Sequence, residues 1–225
     1  MKFFAVCTRP RYDHTHVERL VEQLHQHYSG DIDFTVYTDR PDSFGDIHAV
    51  AIEHTLCERQ WYKVDFAGHM NIDLNEPIIV MDIDLTIIRN IDHIIDMPVQ
   101  PHQFAAIERW WRAPNQPMNI NGGMYKYYPS TCQHIFQKFY SAPKHWQNNY
   151  RQYSRNQVTG EQYFMWESVR DTHEIITFPA DAFVPVRSGI PETIPVYNRT
   201  YTNLFGKVYI DSTGTYDQSV CILHG

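Results

Sequence analysis

The sequence predicts an α/β fold, a single domain built on a central, mostly parallel, twisted sheet flanked by helices. Three observations predict it. A strand, a helix and a second strand follow one another within the first 37 residues, which is a right-handed crossover unit. The uniform apolar run Ile78-Ile79-Val80-Met81 has the length of a strand and too little polarity for a solvent-facing one, so it is read as a central strand covered on both faces. With 225 residues, the chain is long enough to bury a substantial core as one large domain or two small ones.

The first strand is read over residues 3–7, and the segment after it has Val17, Leu20, Val21, Leu24 and Tyr28 at helical spacing until Ser29-Gly30 stops it. Residues 32–37 read as the second strand, 38–42 as a turn and 48–52 as a short third strand. A helix is expected around Trp61-Tyr62-Lys63-Val64-Asp65-Phe66, and Asn75-Glu76-Pro77 interrupts the chain before the central strand. Beyond it, Ile91, Ile94 and Ile95 make a short amphipathic turn and 104–108 a strand. Helices follow over 129–140 and from Gly160-Glu161-Gln162 onward, then strands over 175–178 and 219–223. Residues 141–159 read as a polar surface excursion and 179–188 as a loop carrying Arg187, while 196–211 is less regular.

The central strand delivers Asp82 and Asp84, one residue apart, at its carboxyl end, where open α/β sheets bind ligands. On an extended chain these two side chains point the same way. Two carboxylates that close repel by about 4 kcal/mol at ~4 Å with an effective dielectric of about 20. A shared proton or a divalent cation is expected to offset that, and oxygen ligands favour magnesium, manganese or calcium. The plainer alternative is that both aspartates end a strand and cap the next element.

Composition narrows the function classes. A formal charge of −7 supplies no basic footprint for nucleic acid or an acidic membrane. The apolar part of the N-terminus is too short for a signal peptide or a transmembrane segment. Cys7, Cys57, Cys132 and Cys221 are widely spaced and include no Cys-x-x-Cys pair, which argues against a zinc knuckle or a disulfide framework and makes a reducing, cytoplasmic home the expectation. Fifteen tyrosines and five tryptophans suggest ring surfaces used for recognition as well as packing. Trp110 and Trp111 stand in a loop with Arg109 and Arg112, and read either as core or as a surface that stacks on an acceptor sugar. Asn121-Gly122 reads either as a hairpin turn or, with Gly123, as a place where the backbone approaches a ligand closely.

An ordered set of motifs resembles the GT-A-fold, nucleotide-sugar-dependent glycosyltransferases of the glycogenin-like type. The set comprises Cys7-Thr8 with Tyr12, Trp61-Tyr62-Lys63, the strand ending in Asp82-Ile83-Asp84, Asn121-Gly122-Gly123, Gly160-Glu161-Gln162 and the closing Cys221-Ile222-Leu223-His224-Gly225. Their order spans nearly the whole chain. The resemblance implies a Rossmann-like nucleotide-binding half over 1–100 and a donor-sugar and acceptor half over 101–225. It also implies transfer of a sugar from a nucleoside diphosphate sugar, with a uracil base, to a hydroxyl of a glycan or glycoconjugate. Asp82, Asp84 and His224 would serve at a manganese (or magnesium) ion, Asp82 through the ribose or a water; a histidine beside carboxylates shifts preference toward manganese.

By the same resemblance Thr8, Arg9 and Tyr12 would line the base pocket. Ile83 and Gly225 would complete the nucleotide site, and Lys63 and Arg187 would lie near the diphosphate. Asn121, Gly122, Gly123 and Gln162 would face the donor sugar. Glu161 would be the general base if configuration inverts, and would position or stabilise the sugar if it is retained. From position alone, Glu161 also suits the dipole at its own helix start, and His224 reads as a terminal histidine. Two departures stand out. Glu161 replaces the family's aspartate, and the chain stops where relatives continue with a lysine and proline, so it is either a minimal version or one domain of a longer polypeptide. Two rivals remain: a haloacid-dehalogenase-type phosphatase with Asp82 as nucleophile, suggested by Asp82-Ile83-Asp84-Leu85-Thr86, and a nucleotide-sugar-binding module without turnover.

Overall fold

The computed structural model describes residues 1–68, 75–109, 120–150, 160–185 and 218–224, with only the backbone of Pro185 and His224. Trp110, Trp111, Arg187, Gly225 and the stretch 196–211 lie outside the described residues.

Seven strands form the main sheet: β1 (Lys2–Cys7), β2 (Asp33–Thr38), β3 (His48–Ala51), β4 (Ile78–Met81), β6 (Gln103–Glu108), β7 (Ile120–Tyr127) and β8 (Glu174–Thr177), in the order β3-β2-β1-β4-β7-β6-β8. All neighbouring pairs are parallel except those of β7, which runs antiparallel to both β4 and β6. A small sheet of β5 (Leu85–Ile87), β9 (Phe183–Pro185) and β10 (Ile222–His224) has β10 in the middle.

The alternation of side chains across the pleat explains the apolar runs. From β1, Phe3, Ala5 and Cys7 enter one core layer and Phe4 and Val6 the other; from β4, Ile79 and Met81 enter the first and Ile78 and Val80 the second. Helix α1 (His14–His27) covers the first layer with Val17, Leu20 and Leu24, and the short α2 (Asp92–Ile95) adds Ile94 and Ile95. The start of α1 is fixed by Asp13, whose carboxylate accepts from the Thr15 hydroxyl at 2.6 Å and amide at 3.1 Å and is met by the His16 ring at 2.8 Å; the hydroxyl and ring bonds above all hold the carboxyl far below the usual range.

The opposite layer holds the segment Arg59–Ala67, α3 (Pro129–Ser141) and α5 (Glu161–Val169). The helix expected around Trp61 is a 3₁₀ helix rather than an α-helix, and every residue from Trp61 to Ala67 is buried. Trp61 stacks on Phe139 with centroids 5.3 Å apart, so its indole belongs to the core.

Three other expectations change. The polar stretch after 141 contains a helix, α4 (Pro143–Asn149), which too few apolar residues announce; Trp146 anchors it by donating to the Lys138 carbonyl at 2.9 Å. The loop expected over 179–188 contains β9, which forms because β10 offers it a parallel partner. Asn121-Gly122 is no hairpin, because β7 runs through it between two partners.

Candidate active site

Strand β4 ends at Met81, and Asp82 to Asp84 turn the chain out of the main sheet so that Leu85 begins β5 in the small one. The side-by-side projection of the two aspartates from one extended strand is therefore not what the chain does. The turn is closed by the Leu85 amide on the Asp82 carbonyl at 3.4 Å, and α1 supports it through Arg19, which donates to the Ile83 carbonyl at 3.3 Å. Both carboxylates nevertheless line one cleft.

The cleft encloses about 220 Å³ and gathers residues from distant parts of the chain: Thr8, Arg11 and Tyr12 after β1, Lys63, the Asp82–Asp84 turn, Asn121-Gly122-Gly123 of β7, and Glu161-Gln162 at the start of α5. Of the residues singled out in the sequence, it thus holds Thr8, Tyr12, Lys63, Asp82, Ile83, Asp84, Asn121, Gly122, Gly123, Glu161 and Gln162. Arg9 sits next door. It pairs with Asp39 at 3.1 Å along an adjoining groove that Thr8, Cys57 and Tyr62 also line. His224 is placed by its backbone, which pairs with Leu85, one residue beyond Asp84.

Side chains of this protein meet both aspartates. Lys63 Nζ lies 2.6 Å from Asp82 Oδ1, while Asp84 Oδ2 accepts from the Tyr12 hydroxyl at 2.6 Å and from Arg11 at 3.3 Å. Burial, then the bond to Asp84, pushes the Tyr12 hydroxyl far up, so it is a standing donor to that carboxylate.

Strand β7 makes one wall of the cleft through an irregularity. Its register against β6 jumps from Ala106↔Tyr125 to Ile107↔Asn121, so Gly122, Gly123 and Met124 have no partner residues on that side. Side chains take over the bonds a ladder would supply. Lys63 donates to the Gly122 carbonyl at 2.7 Å, the Gly122 amide donates to Gln162 Oε1 at 3.0 Å, and the Gly123 amide donates to Asn121 Oδ1 at 2.8 Å. A side chain at 122 would meet Gln162 Cβ and the Tyr125 hydroxyl at 2.8 Å, which is why glycine stands there.

Glu161 is buried behind this wall. Its Oε1 accepts from the Tyr125 hydroxyl at 3.0 Å, and its Oε2 lies 4.0 Å from Lys63 Nζ. Burial raises its pKa from 4.5 to about 7 against the pull of Lys63, whose ammonium is committed more closely to Asp82. Lys63 is 3% exposed; burial disfavours its charge, yet Asp82 and Glu161 hold its pKa above the ordinary value.

The sequence reading did not single out Arg11, Arg59, Gln60 and Tyr125. Arg11 is two residues from Arg9 in the same loop, and Tyr125 closes the Asn-Gly-Gly segment, so both were within reach. Arg59 and Gln60 carry no local signal; Arg59 reaches the cleft in a left-handed conformation, φ 51°.

The sequence matches no known family profile, and no curated protein sequence matches it. Solved structures do. A galactosyltransferase, LgtC, in complex with donor and acceptor sugar analogs superimposes with a TM-score of 0.62 at 11% identity, over 100% of this chain and 86% of that one. An active-site mutant of LgtC gives 0.61 at 10% identity, over the same 100% and 86%. The glycosyltransferase GlyE of Streptococcus pneumoniae TIGR4 gives 0.53 at 10%, covering 81% of this chain and 46% of GlyE. This chain has the GT-A fold.

Within that GT-A fold the Asp82–Asp84 turn follows β4, between β1 and the antiparallel β7. The phosphatase rival normally has its nucleophile loop after the first strand, and here the loop follows the fourth. Among the described residues no helix is long and apolar enough to cross a membrane.

Proposed function

We propose that this protein is a metal-dependent glycosyltransferase that moves a sugar from a nucleoside diphosphate sugar, with uridine diphosphate as the carrier, to a hydroxyl of a glycan or glycoconjugate. The observation that carries the proposal is the shared cleft. Two carboxylates at the mouth of the central strand, a close-approach glycine pair and the Glu161-Gln162 helix start face one space, in a fold shared with sugar transferases.

The donor set suits a hard divalent ion. Asp82 and Asp84 are 31% and 22% exposed on the cleft, and the ladder puts His224 one residue beyond Asp84. Asp82, Asp84 and His224 would hold manganese or magnesium, which when bound supplies Lewis-acid stabilisation for the departing diphosphate. Thr8, Tyr12 and Arg9 line the side of the cleft and the adjoining groove where the nucleoside would lie, and Arg11 and Arg59 add positive charge for phosphates. Lys63 acts from inside, joining Asp82 to the Gly122 carbonyl and so fixing the distance between ion site and sugar wall. With its Oε1 committed to the Gly122 amide, Gln162 would turn its amide donors to a sugar hydroxyl. Glu161, with a pKa of about 7, can gain or lose a proton near neutrality, as a group serving an acceptor hydroxyl must.

Manganese together with uridine diphosphate should raise the melting temperature, and Asp84→Asn should abolish the gain. No shift with either ion at saturating nucleotide would sink the proposal. Slow hydrolysis of a uridine diphosphate sugar by the purified protein would separate an enzyme from a binding module, since it requires no knowledge of the acceptor.

A further inference from the structure

Away from the aspartate turn, a second group of metal-ligating side chains meets beneath the groove that Arg9 borders. His54 lies beyond the end of β3, Cys57 in the irregular segment after it, and Asp65 in the 3₁₀ helix Arg59–Ala67. Their ligand atoms all lie within 4.8 Å of one another. His54 Nε2 is 3.0 Å from Asp65 Oδ2, and the Tyr140 hydroxyl of α3 is 2.9 Å from His54 Nε2, 3.3 Å from Cys57 Sγ and in contact with Asp65 Oδ1. Asp65 is fully buried and Cys57 is 5% exposed.

We propose that His54, Cys57 and Asp65 form a zinc site, with the Tyr140 hydroxyl at the fourth corner, that fixes the segment 52–58 along the groove. The donor types suit the ion, because one imidazole, one thiolate and one carboxylate make the borderline set that tetrahedral zinc takes. The charges balance, since thiolate and carboxylate together cancel the dication while the imidazole binds neutral. Ligand atoms around tetrahedral zinc sit about 3.4 Å apart; the contacts of His54 with Asp65 and of Tyr140 with His54 and Cys57 are 2.9–3.3 Å, and Cys57 Sγ lies within 4.8 Å of the other two ligand atoms. The frame is built in advance. Gln147 of α4 accepts from the Glu58 amide at 2.9 Å and donates to the Leu56 carbonyl at 2.8 Å, holding the backbone on both sides of Cys57. Zinc binds cysteine as the thiolate, so uptake at Cys57 would release its proton.

This ion would differ from one at Asp82 and Asp84 in being bound through sulfur, and the test uses that difference. The full chain, stripped with a chelator, is titrated with cobalt(II) and followed by absorbance. One equivalent should give a thiolate-to-cobalt charge-transfer band and tetrahedral visible bands, both removed by one equivalent of zinc. Asp84→Asn should keep the charge-transfer band and Cys57→Ser should lose it. A folded wild-type protein that shows no such band overturns the proposal, and so does a band that survives Cys57→Ser. If Cys57→Ser does not fold, His54→Gln decides: the proposal requires at least a tenfold weaker cobalt affinity, and an unchanged affinity overturns it.

Discussion

Lys63 Nζ lies 2.6 Å from Asp82 Oδ1, and the same ammonium donates to the Gly122 carbonyl at 2.7 Å. One buried cation therefore ties the end of β4 to the irregularity in β7. Replacing Lys63 by methionine leaves Asp82 and Glu161 without that charge. Because Asp82 is partly exposed, the loss should fall at the lower end for broken buried pairs, about 3 kcal/mol. Urea unfolding would show it as a lower midpoint with an unchanged slope.

Glu161 gives a pH dependence whose sign is fixed by burial. Its folded pKa of about 7 lies above the ordinary 4.5, so the folded state binds the extra proton, and its stabilising contribution is lost as pH rises from 4.5 through 7. That displacement corresponds to roughly 3 kcal/mol. Glu161→Gln lacks the titration, so its stability relative to wild type should climb across this window and level off above it. Denaturant curves at pH 4.5, 6 and 8 are sufficient, and a difference independent of pH would contradict the assigned environment.

Tyr12 meets Asp84 through its hydroxyl. Tyr12→Phe keeps the ring against His16, with centroids 5.3 Å apart, and removes the 2.6 Å hydrogen bond to the carboxylate. Manganese affinity in the presence of uridine diphosphate should weaken by about tenfold, while stability changes by about 1 kcal/mol. Calorimetric titration and thermal melts on one protein preparation separate the two effects.

Gly122→Ala tests the close approach. The added carbon would meet Gln162 Cβ and the Tyr125 hydroxyl at 2.8 Å, so the wall must shift. A cost of about 1–3 kcal/mol is expected, as for other overpacked sites, along with weaker nucleotide-sugar binding because Gln162 is displaced. Wild-type binding in this variant would show that the wall does not contact the donor.

Much of the architecture was legible in the sequence because its signals are local. The three opening strands, α1 and α3 follow from apolar period and turn chemistry within a few residues. The 3₁₀ geometry of Arg59–Ala67 was not, since its residues from Trp61 to Ala67 are all buried and leave no solvent-facing side to report a period. Nor was α4, whose stability comes from Trp146 and Gln147 reaching other elements. The Asn-Gly pair misled as a turn because the same dipeptide also marks an irregular strand.

By itself the sequence determined that two aspartates leave a buried strand, that a glycine pair and a carboxylate-led helix come after them, and that an α/β sheet carries them. Only the tertiary structure decided which side chains meet the aspartates. Lys63 pairs with Asp82, and Tyr12 with Arg11 meets Asp84. The tertiary structure also set the neutral-range pKa of Glu161 and filled the bonds left open in β7. The physical reason is distance along the chain. Lys63 reaches Gly122 across 59 positions, Tyr12 reaches Asp84 across 72 and Tyr125 reaches Glu161 across 36. Contacts of that range have no local pattern and arise only when the sheet brings the strand ends together.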